Sequence, residues 1–417
     1  MILKRVLTII LVISILGVIA LVVTDPNIGL FKGDSSKKIE ESHFFDGLSG
    51  FDYNYFDNFS SDSPDGDLEA LLVQSWNNIE QSIDVSAFNI TFDEFQNTYM
   101  QILNNNPLCY HVDSAVECKI DSENRVITVN PTYLEKNKDT IKSTVSEINS
   151  ATDVILSLIT DDMGDFEKVM TVHDYMVQNY EYDESKENHS ITIMLSKTGV
   201  CESYARAFKH LMNTLGVDCK IVDSDDMAHS WNLVSVDGQW YHIDLTMDDP
   251  LEDKYTQVSH KYALLSTSAI ESAEAPHYGF NLGEHSASSQ KYDNASWRGC
   301  IGAIVCINKT NYWTDGNDLV SSDGDIIYAG LDGEDGRWDI DGRKYYPDIC
   351  YTGLGVYDNI LYFNTDEAIM SYNPSTEKIS TVKSKSGICG IYVSNGVLYY
   401  AESPGDGAIE YGGEISL

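Results

Sequence analysis

The chain has 417 residues, 65 of them acidic and 27 basic, for a formal charge of −38. That balance argues against nucleic-acid binding and against docking on anionic lipid, and it reads as a well-solvated exported surface. With 42% hydrophobic and 11% aromatic residues there is ample material for folded cores, so this is not a disordered acidic chain.

Lys4 and Arg5 precede an uncharged, mostly aliphatic run from Val6 to Val23. At 1.5 Å per residue that run is roughly 27 Å long, close to the hydrocarbon thickness of a bilayer. Residues 1–23 are therefore expected to be a transmembrane anchor, or a signal segment if cleaved, with the bulk of the chain extracellular. Residues 24–66 read as a polar linker ending in Ser60-Ser61-Asp62-Ser63-Pro64-Asp65-Gly66.

From residue 67 to about 160 an α+β segment is expected to pack on the central core. Phe92, Phe95, Tyr99, Ile102 and Leu103 mark an amphipathic helix, stopped by Asn104-Asn105-Asn106-Pro107. Short strands are predicted at 108–112, 116–120 and 125–129, then a helix through Val145, Ile148, Ile155 and Leu158. Eight cysteines are too few for a disulfide scaffold, although Cys109 with Cys118, or Cys300 with Cys306, would close small loops.

Residues 161–280 hold the chemistry. Phe166, Val169, Met170, His173, Met176, Val177 and Tyr180 form one helical stripe, on which His173 reads as a satisfied core histidine. Next comes Gly199-Val200-Cys201-Glu202-Ser203-Tyr204-Ala205, with Tyr204, Phe208, Leu211, Met212 and Leu215 at helical spacing and Gly216 as the stop. Cys201 thus falls in the first turn of a helix, where unpaired N–H groups and the positive dipole end favour thiolate. His210 is expected to face solvent.

Asp237-Gly238 is the dipeptide that a two-residue type I′ hairpin turn prefers. Taking it as the turn pairs Val236 with Gln239, His242 with Leu233, Asp244 with Trp231 and Thr246 with His229. His229 and Asp244 then share a face as diagonal neighbours, within reach of a side-chain hydrogen bond. A nucleophile, a base and a carboxylate that orients the base stand in that order.

These residues resemble the transglutaminase-like superfamily of cysteine acyltransferases and hydrolases. Its pattern runs Gly-Val-Cys-x-x-Tyr-Ala, His-Ala-Trp-Asn and Trp-Tyr-x-x-Asp-x-Thr-Trp-x-Asp-Pro. This chain has Gly199 to Ala205, His229-Ser230-Trp231-Asn232 and Trp240 to Pro250, with Met247 where the family usually has Trp. The likeness spans about residues 165–277, including Val172-His173-Asp174-Tyr175 and His260 to Ser266, which looks like the strand that usually comes next.

The resemblance implies an α+β, papain-like cysteine-enzyme core in which Cys201 is the nucleophile, His229 the base and Asp244 the orienter. The Cys201 N–H is the first expected oxyanion donor. Tyr182, at the exit of the preceding helix, is the candidate side-chain donor, with Trp231 and His242 around the triad rather than in it. No His/Cys/Asp cluster has zinc-like spacing, so neither metal nor cofactor is expected. The implied activity is amide chemistry on a protein or peptide at the cell surface, by crosslinking, deamidation or peptide hydrolysis. The alternatives are a dedicated cysteine protease and a non-catalytic binding module that kept the fold.

Residues 297–417 form an all-β domain rich in Tyr, Gly, Asp and Asn. Ile360-Leu361-Tyr362 matches Val397-Leu398-Tyr399 at an offset of 37, and Asn311-Tyr312-Trp313 looks like an earlier copy. The spacing predicts propeller-like blades, of which only about three fit where closed propellers have at least four; the expectation is a partial blade array, a compact β-domain or a unit completed from outside the chain, with aromatic edges that would suit cell-wall glycans or peptides.

Overall fold

The computed structural model describes residues 21–22, 41–45, 64–186, 188–249, 257–331, 338–340, 343–345, 351–394, 396–403 and 410–417. Most of the expected anchor and linker lies outside them. Two pieces are described: β1 (Leu21–Val22) pairs with β2 (Glu41–Phe45), and β2 pairs antiparallel with the strand that ends at Ile120. Among the described residues no helix is long and apolar enough to cross a membrane.

The N-terminal unit has its own core. Helix α1 (Pro64–Asn78), β3 (Ile83–Asp84) and α2 (Phe92–Asn105) precede two long strands, β4 (Val112–Ile120) and β5 (Val126–Tyr133), in a sheet ordered β1-β2-β4-β5-β3. Thr91 and Glu94 close a capping box at the start of α2, which buries Phe92, Phe95, Tyr99, Ile102 and Leu103 on the periodicity read from the sequence. Trp76 meets Tyr99 edge-on at 5.5 Å between ring centroids. The three short strands predicted here become two: Pro107–Cys109 is a 3₁₀ turn after Asn106, and 116–120 is the end of β4. Cys109 and Cys118 are buried free thiols.

The second unit is helices on a small sheet. Helix α3 (Lys138–Leu156) buries Ile148 and Ile155 in the same core as α4 (Asp165–Asn179). The chain leaves α4 through β6 (Glu181–Tyr182), makes the short α5 (Ile193–Ser196), and returns as β7 (Thr198–Gly199), parallel to β6. Helix α6 (Cys201–Thr214) comes next, and Gly216 at φ +72° ends it. Strands β8 (Cys219–Ser224), β9 (His229–Val236) and β10 (Gln239–Ile243) form an antiparallel sheet ordered β10-β9-β8.

The hairpin register is the expected one: Val236 opposes Gln239 and Leu233 opposes His242. Asp237 (φ 53°) and Gly238 (φ 73°) both take the left-handed values that a type I′ turn requires. The inner face of the sheet, with Val234, Val236, Tyr241 and Ile243, packs on Tyr204, Phe208 and Leu211 of α6. Asn232 crosses that interface, its Nδ2 donating to the carbonyl of Ala205 at 3.0 Å.

After β10 the chain departs from expectation. Asp244 caps a single helical turn, α7 (Leu245–Asp248), so Thr246 does not extend the strand opposite His229. The run from His260 to Ser266 is not a strand; it touches the sheet in one bridge, Leu265 to His242. Leu264 at φ 53° breaks extended geometry there, and the Asp248 carboxylate takes the Tyr262 N–H at 3.0 Å.

The C-terminal region is a series of antiparallel meanders, not a closed propeller. Val305–Ala329 and Leu354–Ser384 each span a four-stranded sheet in sequential order, and Ile388–Ser416 spans a three-stranded one. The repeated Asn-Tyr-Trp and Leu-Tyr-Phe signals are second strands, entered through left-handed turns at Asn308-Lys309 and Asp358-Asn359. The first meander is fastened to the second unit: Trp297 and Ile304 enter its core, and Asn311 Nδ2 donates to Glu167 Oε1 at 2.8 Å. Cys300 and Cys306 are free thiols, so no bridge joins them.

Candidate active site

Cys201 is the first residue of α6, where its N–H belongs to the turn that has no intrahelical acceptor. Two features hold it there. Ser203 is fully buried and its Oγ donates to the Val200 carbonyl at 2.7 Å, fixing the bend into the helix. Gly199 then leaves room for that hydroxyl: a Cβ at 199 would lie 2.2 Å from Ser203 Oγ and 3.0 Å from Ile193 Cδ1. Gly199→Ala is therefore expected to lower stability by about 1–3 kcal/mol, the usual cost of overpacking. Thermal unfolding checks this, and an unchanged Tm would show that the bend relaxes freely.

Pairing of β6 with β7 sets Tyr182 opposite Gly199, two residues before the nucleophile. Burial, with the Cys201 sulfur and Glu184 as further causes, pushes the Tyr182 hydroxyl up to about 12, so it remains a proton donor at neutral pH. Its one described bond is long, 3.4 Å to Glu184 Oε1.

His229 opens β9 and lies over Trp231, ring centroids 5.8 Å apart and planes 19° apart. Its Nε2 is 2.6 Å from Asp244 Oδ2. The Cys201 sulfur is among the groups that raise the same imidazole, and with Nε2 on the carboxylate, Nδ1 is the nitrogen left for it. Burial alone would drive the proton off His229, but the Asp244 carboxylate and the Cys201 sulfur outweigh it and raise the imidazole to about 10. The resting pair therefore favours imidazolium facing sulfur.

Asp244 is 1% exposed and fully used. Oδ1 accepts from the N–H groups of Thr246 (3.1 Å) and Met247 (3.2 Å) and from Thr246 Oγ1 (2.7 Å), while Oδ2 faces two imidazoles. Burial would favour its protonated form, but His229 and His277, by charge and by hydrogen bond, hold the carboxyl well below the usual range. The second imidazole is His277, Nε2 2.8 Å from Oδ2. Sequence reasoning gave it no role, because it lies in an irregular stretch 33 positions beyond Asp244, where no periodicity places a side chain.

Trp231 and His242 share the hairpin face as expected, and they bond each other. Trp231 Nε1 donates to His242 Nδ1 at 3.0 Å, so the His242 proton sits on Nε2 and points at Thr267 Oγ1, 3.1 Å away. Burial lowers His242 to about 3, a neutral structural ring. Met247 packs in the cluster of Trp231 and Leu265. His210 does not face solvent: its Nε2 lies 3.2 Å from Thr152 Oγ1 on α3, and burial lowers it to about 4.

His173 is buried, but in a charged network. Its Nδ1 is 2.8 Å from Asp174 Oδ1 and its Nε2 3.3 Å from Asp248 Oδ2, while His260 Nε2 is 3.0 Å from Asp174 Oδ1. Among the described residues two groups bring three ligand-type atoms within 4.8 Å: His173, Asp174, His260 and His229, Asp244, His277. In both, the carboxylate oxygen lies 2.6–3.0 Å from imidazole nitrogen. Those are hydrogen-bond lengths, whereas tetrahedral zinc with bonds of about 2.0 Å would hold its ligand atoms about 3.3 Å apart. Neither group is assigned as a metal centre.

Against known proteins, residues 153–245 match the family model of the transglutaminase-like superfamily. The chain is 24% identical over 156 residues to the kyphoscoliosis peptidase of Mus musculus, a match covering 31% of this chain and 23% of that protein. It is 22% identical over 157 residues to the Homo sapiens protein of the same name, covering 32% and 24%. The chain thus spans about a quarter of the length of these curated relatives. A crystal structure of a TGase aligns over 38% of this chain and 48% of its own, at 16% identity and a TM-score of 0.21. The motifs around Cys201, His229 and Asp244 and the family match agree, and the chain carries a transglutaminase-like domain.

Proposed function

We propose that the chain is a cysteine enzyme acting on protein amide bonds through a thioester acyl-enzyme. The observation that carries this is the His229–Asp244 pair, Nε2 2.6 Å from Oδ2, with Cys201 at the start of α6 among the groups that act on the imidazole. The Cys201 sulfur attacks the carbonyl carbon of a glutamine side chain or peptide, and the N–H groups at the start of α6 face the developing oxyanion. His229 gives its Nδ1 proton to the leaving nitrogen as the C–N bond breaks, and Asp244 keeps the other proton on Nε2. The thioester then passes its acyl group to water or to an amine, which returns a proton to His229.

The basic-then-apolar N-terminus supports work outside the cell, and the aromatic meanders would suit wall glycans or peptides. Incubating the purified chain with a glutamine-containing protein and a tagged amine tests the reading. Tag incorporation marks transfer, ammonia release without tag marks deamidation, and new amino termini mark proteolysis. If Cys201→Ala leaves all three signals unchanged, the proposal fails and the domain is a binding module.

A further inference from the structure

We propose that His277 is a positioning residue for this site, a second imidazole that holds the Asp244 carboxylate and shares its charge with His229. The inference rests on the reading of Cys201, His229 and Asp244 as the reacting series.

The geometry is specific. His277 is completely buried, its ring edge-on to Trp231 with centroids 4.7 Å apart and 5.5 Å from the His229 ring. Its main-chain N–H donates to the Ile270 carbonyl at 3.1 Å, so the backbone is anchored as well. Nε2 lies 2.8 Å from Asp244 Oδ2 and Nδ1 3.1 Å from the Ala275 carbonyl oxygen. An ionised carboxylate only accepts, so Nε2 must donate to it. The titratable groups facing His277 among the described residues are Asp244, His229, His242 and Tyr262.

One oxygen, Oδ2, therefore serves two imidazole donors. A donor taken from a carboxylate leaves more negative charge for the donor that remains. Removing His277 should thus tighten Asp244's hold on the His229 proton, whether His277 itself is neutral or cationic. A tighter hold is a handicap for a group that must release a proton to the leaving nitrogen at each turnover. His277 also restricts where Oδ2 can point, and hence the plane of the His229 ring.

Nitrogen-15 NMR of the full chain labelled at histidine, titrated with pH, tests this. In His277→Phe, which keeps a ring but offers no donor, the pH at which His229 loses its proton should rise by ~0.5–1 unit. His277→Gln, whose amide can reach Asp244, should restore most of the wild-type value. A folded His277→Phe protein with an unmoved His229 titration overturns the proposal. So does a Gln variant that behaves like Phe, since that points to ring packing alone. If His277→Phe does not fold, the Gln variant decides: a near-wild-type titration supports the proposal, and a shift like that expected for Phe overturns it. The titration needs no substrate, so it separates this inference from the reaction: should Cys201 prove unreactive while the shift is seen, the reading of the reaction fails and the coupling of His277 to His229 stands.

Discussion

Asp244→Asn is expected to slow amide turnover about 10³–10⁴-fold while leaving the fold intact. The direction comes from how the carboxylate is held. Its Oδ1 side takes three donors, from the Thr246 and Met247 N–H groups and the Thr246 hydroxyl. A carboxamide must keep its oxygen there, which turns its NH₂ toward His229 Nε2. That nitrogen then has to accept, so the ring is held neutral with its one proton on Nδ1, and the imidazolium that faces sulfur in the wild type cannot form. The thiol can no longer hand over its proton. Ammonia or amine release from a glutamine-containing peptide measures the loss, and a variant within about tenfold of wild type would show that Asp244 does not set the tautomer.

His173→Ala should cost about 3–5 kcal/mol, because it takes the cationic partner from two buried carboxylates. His173 is 0% exposed, between Asp174 and Asp248, and Asp174 also binds His260 and accepts the Ile304 N–H at 2.7 Å. The network thus ties α4, α7 and the entry to the C-terminal region together. Its pH dependence has a definite sign. Burial opposes the charge on His173, but Asp174 and Asp248 outweigh it and raise the imidazole to about 9. This contribution is complete below the unfolded value of about 6.5 and is lost as pH rises through 9.

Burial likewise opposes ionised Asp174, but His260 and His173 outweigh it and hold the carboxyl down to about 2. That contribution is complete above about 3.9 and is lost as pH falls toward 2. The network is strongest between about pH 4 and 6.5. Thermal unfolding across pH should show wild-type stability declining from about pH 6.5 to 9, with His173→Ala declining less steeply, since His229, raised to about 10, contributes over the same range. Equal slopes in both proteins would assign the decline elsewhere.

What the sequence disclosed was local and periodic. Alternation around Asp237-Gly238 fixed the β9–β10 register, hence which face carries His229, Trp231 and His242. The apolar stripe of α6 put Cys201 at a helix start. What it hid was set by the turns around those elements. Asp244 leaves the strand to cap α7, so its bond to His229 arises from a cap geometry that simple strand extension missed. Asp244 with Thr246 close behind does carry a helix-start signal, which could have been used. His277 and His260 reach the interior from irregular chain, where no repeat assigns a face. His173 obeyed its stripe, yet burial alone did not reveal the carboxylates that meet it. The blade repeat was legible strand by strand, but closure depends on how meanders meet, which no offset encodes.

Activation of the Cys201 sulfur by His229 is tested most directly by pH-dependent alkylation of the full chain. Cys306 is an internal standard: a half-buried free thiol that burial pushes up to about 11. With iodoacetamide and site-resolved mass spectrometry, Cys201 should be labelled much faster than Cys306 at pH ~6.5. His229→Ala should lower that rate by about tenfold or more, toward that of an ordinary cysteine. Labelling of Cys201 at the rate of Cys306, or at an equal rate in wild type and His229→Ala, would contradict the account.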